Sequence, residues 1–148
     1  MNEFTSHYRN LRYQERGRIT GQRVIDGNGP VVENSYSAAG TLRANGAATD
    51  RIPVTNIGTI KVFFRSGGVA YGEGQGVMTS RNGEIATWIS QGIGQADQAG
   101  NIEVFGSAIL GPSSTGSLAF LNNMVLVYKQ VVDQTNNVST RAWQLLRR

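Results

Sequence analysis

Apolar and polar residues alternate along most of the chain in short runs, each closed by a cluster of Gly, Asn, Asp or Ser. No stretch sustains the i, i+3, i+4, i+7 spacing of a helix beyond short pieces, whereas period-two runs between turn clusters are the pattern of strands. Eight such runs stand out. They are RITGQRVID (18–26), VVENSYSAAGTL (31–42), TIKVFFRS (59–66), VAYGEGQGVMTS (69–80), EIATWISQGIGQ (84–95), NIEVFGSAIL (101–110), NMVLVYKQVVD (123–133) and NVSTRAWQLL (137–146). Residues 1–16 form either an edge strand or a loosely ordered N-terminal arm.

Strands joined mainly by tight turns imply an antiparallel meander. A flat sheet of eight strands would leave two exposed edges, and closure into a barrel removes them. A two-sheet sandwich competes. The 19 glycines favour the barrel, because small barrels need bends where backbone approaches backbone. The expectation is an all-β chain of 148 residues: one domain, an eight-stranded antiparallel closed β-barrel, with a short helical turn near 117–122.

The stretch YGEGQGVMTSRNGEIATW (71–88) carries Gly72, Gly74 and Gly76 on one face and Tyr71, Glu73, Gln75 and Val77 on the other. Asn82-Gly83 is the signature of a two-residue hairpin loop. That loop sets Val77 opposite Trp88 and Gln75 opposite Ser90, and brings Tyr71, Glu73, Gln75, Trp88 and Ser90 onto one face. Pointed inward, the face would place polar groups in a partly apolar cavity, as ligand pockets are built. Pointed outward, it is solvent face or a subunit contact. Ile89, Ile93 and Met78 make the opposite face attractive for burial as well, so period alone leaves both orientations open.

Charge and composition remove more functions than they suggest. The net charge of +4 comes from arginines near both ends, while the middle has no lysine-rich stripe and no nucleic-acid motif. A solvated surface is the preferred reading, and no nucleic-acid partner is expected. Cysteine is absent, which excludes disulfides and thiolate chemistry and fits a reducing compartment. The start lacks a signal-like apolar stretch and no run reaches the ~20 apolar residues of a membrane helix. The expectation is a soluble, cytoplasmic protein without membrane insertion.

The Gly-x-Gly-x-Gly series precedes a strand rather than a helix, so it does not read as a phosphate loop. His7 is the single histidine, which leaves no histidine metal cluster, and no metal or other cofactor is expected. Among carboxylates, Glu84 is expected at a hairpin tip and Glu103 facing outward. Glu33 and Glu73 alone have placements compatible with the interior. Glu73 is the candidate catalytic residue; Tyr71, Glu73, Gln75, Trp88, Ser90 and Glu33 are the candidate ligand-binding set. An arginine such as Arg51 or Arg65 could instead neutralise such a carboxylate in an inert pair. In the seventh run both Met124, Leu126, Tyr128 and Val125, Val127, Val131 are largely apolar, which points to lumen on one side and a second subunit, in a dimer or trimer, on the other.

The step Thr115-Gly116-Ser117-Leu118-Ala119-Phe120-Leu121, ahead of an apolar strand and behind IEVFGSAIL, resembles the late part of allene-oxide-cyclase-like and dirigent-like barrels. The opening GRITGQRVI and the Gly-rich central hairpin fit the same order over about residues 17–146. The resemblance implies a calycin-like eight-stranded barrel, often trimeric in relatives. Some relatives cyclise a reactive lipid epoxide, others steer coupling of plant phenoxy radicals, and many have no assigned activity. None of the plant enzymes' catalytic residues maps onto this chain.

Three functions follow as expectations. The first is a barrel holding a small apolar or amphipathic molecule without chemistry. The second is a cyclase- or isomerase-type enzyme using a lumen carboxylate. The third is an interaction module whose barrel is filled with side chains.

Overall fold

The computed structural model describes residues 10–45 and 50–145. Eight strands follow one another: β1 (Leu11–Asp26), β2 (Val31–Arg43), β3 (Arg51–Phe64), β4 (Val69–Ser80), β5 (Ile85–Ala96), β6 (Ile102–Leu110), β7 (Val125–Val132) and β8 (Asn137–Gln144). Each pairs antiparallel with the next, and β1 also pairs with β8 from Leu11↔Trp143 to Arg18↔Asn137. The barrel is therefore closed and has no free edge. Two short 3₁₀ turns complete the described residues, Ser66–Gly68 and Gly116–Leu121.

Two strands run further than the alternation predicts. β1 starts at Leu11, inside the stretch left open as an arm, and residues 11–18 supply the seam with β8. β3 starts at Arg51 and passes through Pro53 and Gly58, residues that read as breakers. Gly58 is tolerated mid-strand because rings occupy the place of its side chain: a Cβ there would lie 2.8 Å from both Trp88 Cζ2 and Tyr36 Cε1.

The β4–β5 hairpin differs from the two-residue expectation by one residue. Ser80 and Glu84 close a three-residue loop, with Ser80 N–H donating to Glu84 O at 2.9 Å and Gly83 N–H to Ser80 O at 3.0 Å. Gly83 alone of the loop residues has positive φ, 79°, as in a turn followed by a left-handed bulge residue. Pairing shifts accordingly: Gly76 faces Trp88, Gly74 faces Ser90, Glu73 faces Gln91 and Tyr71 faces Ile93. Because side chains alternate, one residue of slip exchanges the faces of a whole strand.

One end of the barrel is plugged. Leu118 and Leu121 of the second 3₁₀ turn are fully buried and join Leu42, Leu110, Leu126 and Met78 in an apolar floor. Glu84 staples this plug, accepting from Ser117 N–H and Ser117 Oγ, both at 2.6 Å, and from Ser80 Oγ at 3.2 Å. Two short bonds from Ser117 hold the Glu84 carboxyl below its ordinary pKa. Asn122 locks the approach to the plug by exchanging bonds with the backbone of Ser114 at 2.7 and 3.1 Å.

Candidate functional site

Above the apolar floor the strands enclose a cavity of ≈ 420 Å³. That volume lies in the range of small-molecule pockets. Its lower part touches Tyr13 and Met78, its walls include Ile60, Val62 and Val104, and it reaches Gln134 and Asn136, which are exposed in the β7–β8 turn. The lumen is thus closed below by the plug and approached from the opposite end.

At mid-depth a belt of polar side chains from six strands interrupts the apolar wall. Glu15 on β1, 4% exposed, is its centre. Glu15 Oε1 accepts from the Tyr13 hydroxyl at 2.7 Å and from Asn56 Nδ2 at 2.8 Å. Glu15 Oε2 accepts from Thr140 Oγ1 at 3.0 Å, and Thr140 Oγ1 accepts in turn from Gln130 Nε2 at 3.0 Å. Asn56 uses its second N–H on the Tyr36 hydroxyl oxygen at 3.2 Å and takes the indole N–H of Trp88 on Oδ1 at 2.8 Å. Burial beside a carboxylate pushes the Tyr13 and Tyr36 hydroxyls well above the ordinary phenol pKa, desolvation being the larger cause. Tyr128, higher on the wall, is raised by the same desolvation.

The glycines of β4 explain how an indole enters so narrow a barrel. Trp88 lies across the bare backbone of Gly76, where a Cβ would approach Cζ2 to 2.2 Å, and past Gly74, where it would approach Cζ3 to 3.2 Å. The ring then stands 6.2 Å from the Tyr36 ring, tilted 39°. The sequence GEGQG is therefore an inward-facing glycine groove filled by a cross-strand tryptophan.

That geometry divides the candidate set. Trp88 and Ser90 line the cavity. Tyr71, Glu73 and Gln75 are on the outer face: the Tyr71 hydroxyl donates towards Glu73 Oε1 at 3.1 Å, and Arg65 lies 4.8 Å over the Tyr71 ring. Glu33 is also outside, paired with Arg23 at 3.3 Å rather than with Arg51 or Arg65. For Tyr71, Glu73 and Gln75 the cause is the single-residue difference in the hairpin register, which separates them from Trp88 and Ser90; Glu33 stands on β2 beside Arg23 and Lys61, on the outer face whatever that hairpin does. The interior carboxylate is Glu15, not Glu73 or Glu33. Glu103 faces outward as expected, 3.7 Å from Lys129. His7 lies outside the described residues.

Glu15, Tyr13, Asn56 and Thr140 escaped the sequence reading although β1 carried a signal. Leu11, Tyr13, Glu15, Gly17 and Ile19 share one face of the alternation, against Arg12, Gln14, Arg16 and Arg18 on the other. A single acid on an apolar face is a buried-carboxylate signature. Among the described residues no group of His, Cys, Asp and Glu is arranged to hold a metal ion, and no helix is long and apolar enough to cross a membrane.

No family model matches the chain, and no curated protein matches it. Among solved structures it is similar to a conserved protein of unknown function from Rhodopseudomonas palustris, with a TM-score of 0.71 at 12% identity, covering 93% of this chain and 95% of that one. At that identity the likeness establishes a shared fold and nothing more, so the chain is an eight-stranded barrel related in architecture to a protein that itself has no assigned function.

Proposed function

We propose that the protein binds a small apolar or amphipathic molecule in its lumen. The observation that carries this reading is the ≈ 420 Å³ cavity with mostly apolar walls and a hydrogen-bonded polar belt at mid-depth. Apolar walls supply affinity through burial, and a few fixed polar groups supply orientation. The reading agrees with what the resemblance to allene-oxide-cyclase-like and dirigent-like barrels implies. Calorimetric titration with n-decanol tests it: saturable one-to-one heat is expected, together with a change in Trp88 emission. Ala70→Trp, which narrows the entrance, is expected to abolish both. Absence of saturation, or binding undiminished by Ala70→Trp, would overturn the proposal.

The buried Glu15, bonded by the Tyr13 hydroxyl and linked through Asn56 to that of Tyr36, favours a second reading, an isomerase- or cyclase-type enzyme in which this carboxylate moves a proton or steadies developing positive charge. Mass spectrometry of a bound ligand separates the two readings. A binder returns its ligand unaltered, whereas an enzyme converts it and loses conversion in Glu15→Gln.

Self-association is proposed for the outer wall. Ile57, Ile85, Ile89, Ile93, Phe105, Ile109 and Val125 are each 40–59% exposed on neighbouring strands. They offer roughly 700 Å² per copy, close to the ~800 Å² each partner gives to a standard interface. The occupant we propose is a second copy of this chain. Light scattering is expected to give a multiple of the 16.0 kDa chain mass, and Ile89→Lys is expected to return it to one chain; a wild-type monomer at ~100 µM would refute it.

A further inference from the structure

The lumen belt brings three donors onto one buried carboxyl group. Glu15 receives three hydrogen bonds, from Tyr13, Asn56 and Thr140, and each partner is a neutral donor. Thr140 Oγ1 accepts from Gln130 Nε2, which leaves its hydroxyl hydrogen available to Glu15 Oε2. Asn56 Nδ2 can only donate, so Glu15 Oε1 accepts there, and the two hydroxyls offer the carboxyl group two further donors. Among the described residues no Lys or Arg pairs with it.

A buried charge balanced only by neutral dipoles leaves an attractive potential for a cation in the adjoining low-dielectric space. Glu15 Oε2 carries one donor against two on Oε1, which leaves it acceptor capacity. The rings of Tyr13, Tyr36, Trp88 and Tyr128 line the same cavity. Aromatic faces around a carboxylate are the surroundings that ammonium groups prefer. At the entrance, Asp133 lines the cavity and is held ionised, its pKa brought down to about 2 by bonds from Asn137 and Thr135. From the belt to the rim the wall is mostly apolar, with Ile60, Val62, Val104 and Val132, and carries Ser90, Gln22 and Asn34 among them.

We propose that the lumen selects an amphiphile with a single cationic ammonium head, seated head-down between Glu15 and the aromatic rings with its apolar part towards the entrance. This rests on the lumen-binding reading and sharpens it to one ligand class. An anionic head would face Glu15 without a counter-charge and is disfavoured; a neutral head gains only the walls.

Four probes of one chain length test the inference by calorimetry on the whole protein: n-decylamine, decyltrimethylammonium, n-decanol and decanoate. Both cations are expected to bind at least about tenfold more tightly than decanol, and decanoate more weakly than decanol. Glu15→Gln, isosteric and checked for folding by circular dichroism, is expected to remove the preference for cations over decanol. Decanol binding as tightly as both cations would overturn the cation selection and leave lumen binding standing. Failure of all four probes would overturn both readings. The comparison on the wild-type protein alone decides the matter if Glu15→Gln does not fold.

Discussion

Gly76→Ala should be far more costly than Gly72→Ala, although both add one methyl to the same face of the same strand. At Gly76 the new Cβ would stand 2.2 Å from Trp88 Cζ2, 2.4 Å from Trp88 Cε2 and 2.6 Å from the Ile57 carbonyl oxygen. The indole can swing away, but the carbonyl belongs to the neighbouring strand and cannot move without disturbing the β3–β4 ladder. Overpacking of this kind costs about 1–3 kcal/mol. Swinging Trp88 also breaks its 2.8 Å bond to Asn56 Oδ1, and a buried acceptor left without its donor costs about 1–3 kcal/mol. Removing glycine's freedom from the unfolded chain offsets about 0.5–1 kcal/mol. The net expectation is a loss of about 2–4 kcal/mol, a large part of a typical domain's stability. At Gly72 the nearest atom is Ile60 Cγ2 at 3.4 Å, an ordinary contact, so Gly72→Ala should be neutral or stabilising by up to about 1 kcal/mol. Urea unfolding followed by circular dichroism measures both. In a Trp88→Phe background the Gly76→Ala penalty should shrink by at least about 1 kcal/mol, because the two residues share one space. Equal midpoints for the two alanine variants, or a penalty unchanged in Trp88→Phe, would refute the account of the glycine groove.

Two further expectations concern pH. The Glu84 carboxyl is held below its ordinary pKa of 4.5, chiefly by the side-chain and backbone bonds from Ser117; its contribution is therefore complete above that value and lost as pH falls through the lower folded value. The stability difference between wild type and Glu84→Gln should shrink as pH is lowered from 6 to about 3, and a constant difference would remove the ionised staple. Tyr13 and Tyr36 shift the other way: their raised pKa values stabilise the fold below the ordinary 10.0 and cease to do so as pH rises beyond it. Absorbance at about 295 nm should report these two hydroxyls ionising only together with loss of the strand signal. Ionisation of all five tyrosines in a still-folded barrel would show that the belt is solvated.

Much of this architecture was legible because alternation and turn chemistry are local. The boundaries of β2, β4 and β6 agree with their sequence runs within a residue, and the plug was marked by Thr115-Gly116 followed by Leu118 and Leu121. Closure follows from the same pattern, since a long meander has edges to hide. The interior was not legible to the same degree. Which face of β4 and β5 turns inward depends on a three-residue rather than a two-residue loop, and both fit Arg81-Asn82-Gly83. The fold resolves it through non-local terms: Trp88 gains the space above Gly74, Gly76 and Gly58 and a buried partner in Asn56, while Glu84 reaches Ser117 thirty-three residues away. The Glu15 belt is likewise a product of closure. Its members come from β1, β2, β3, β5, β7 and β8, and only the curling of the sheet brings Thr140 within 3.0 Å of a carboxylate 125 residues earlier. Sequence determined the strands and their order, since these rest on neighbours along the chain; the occupant of the lumen wall was decided by contacts across it.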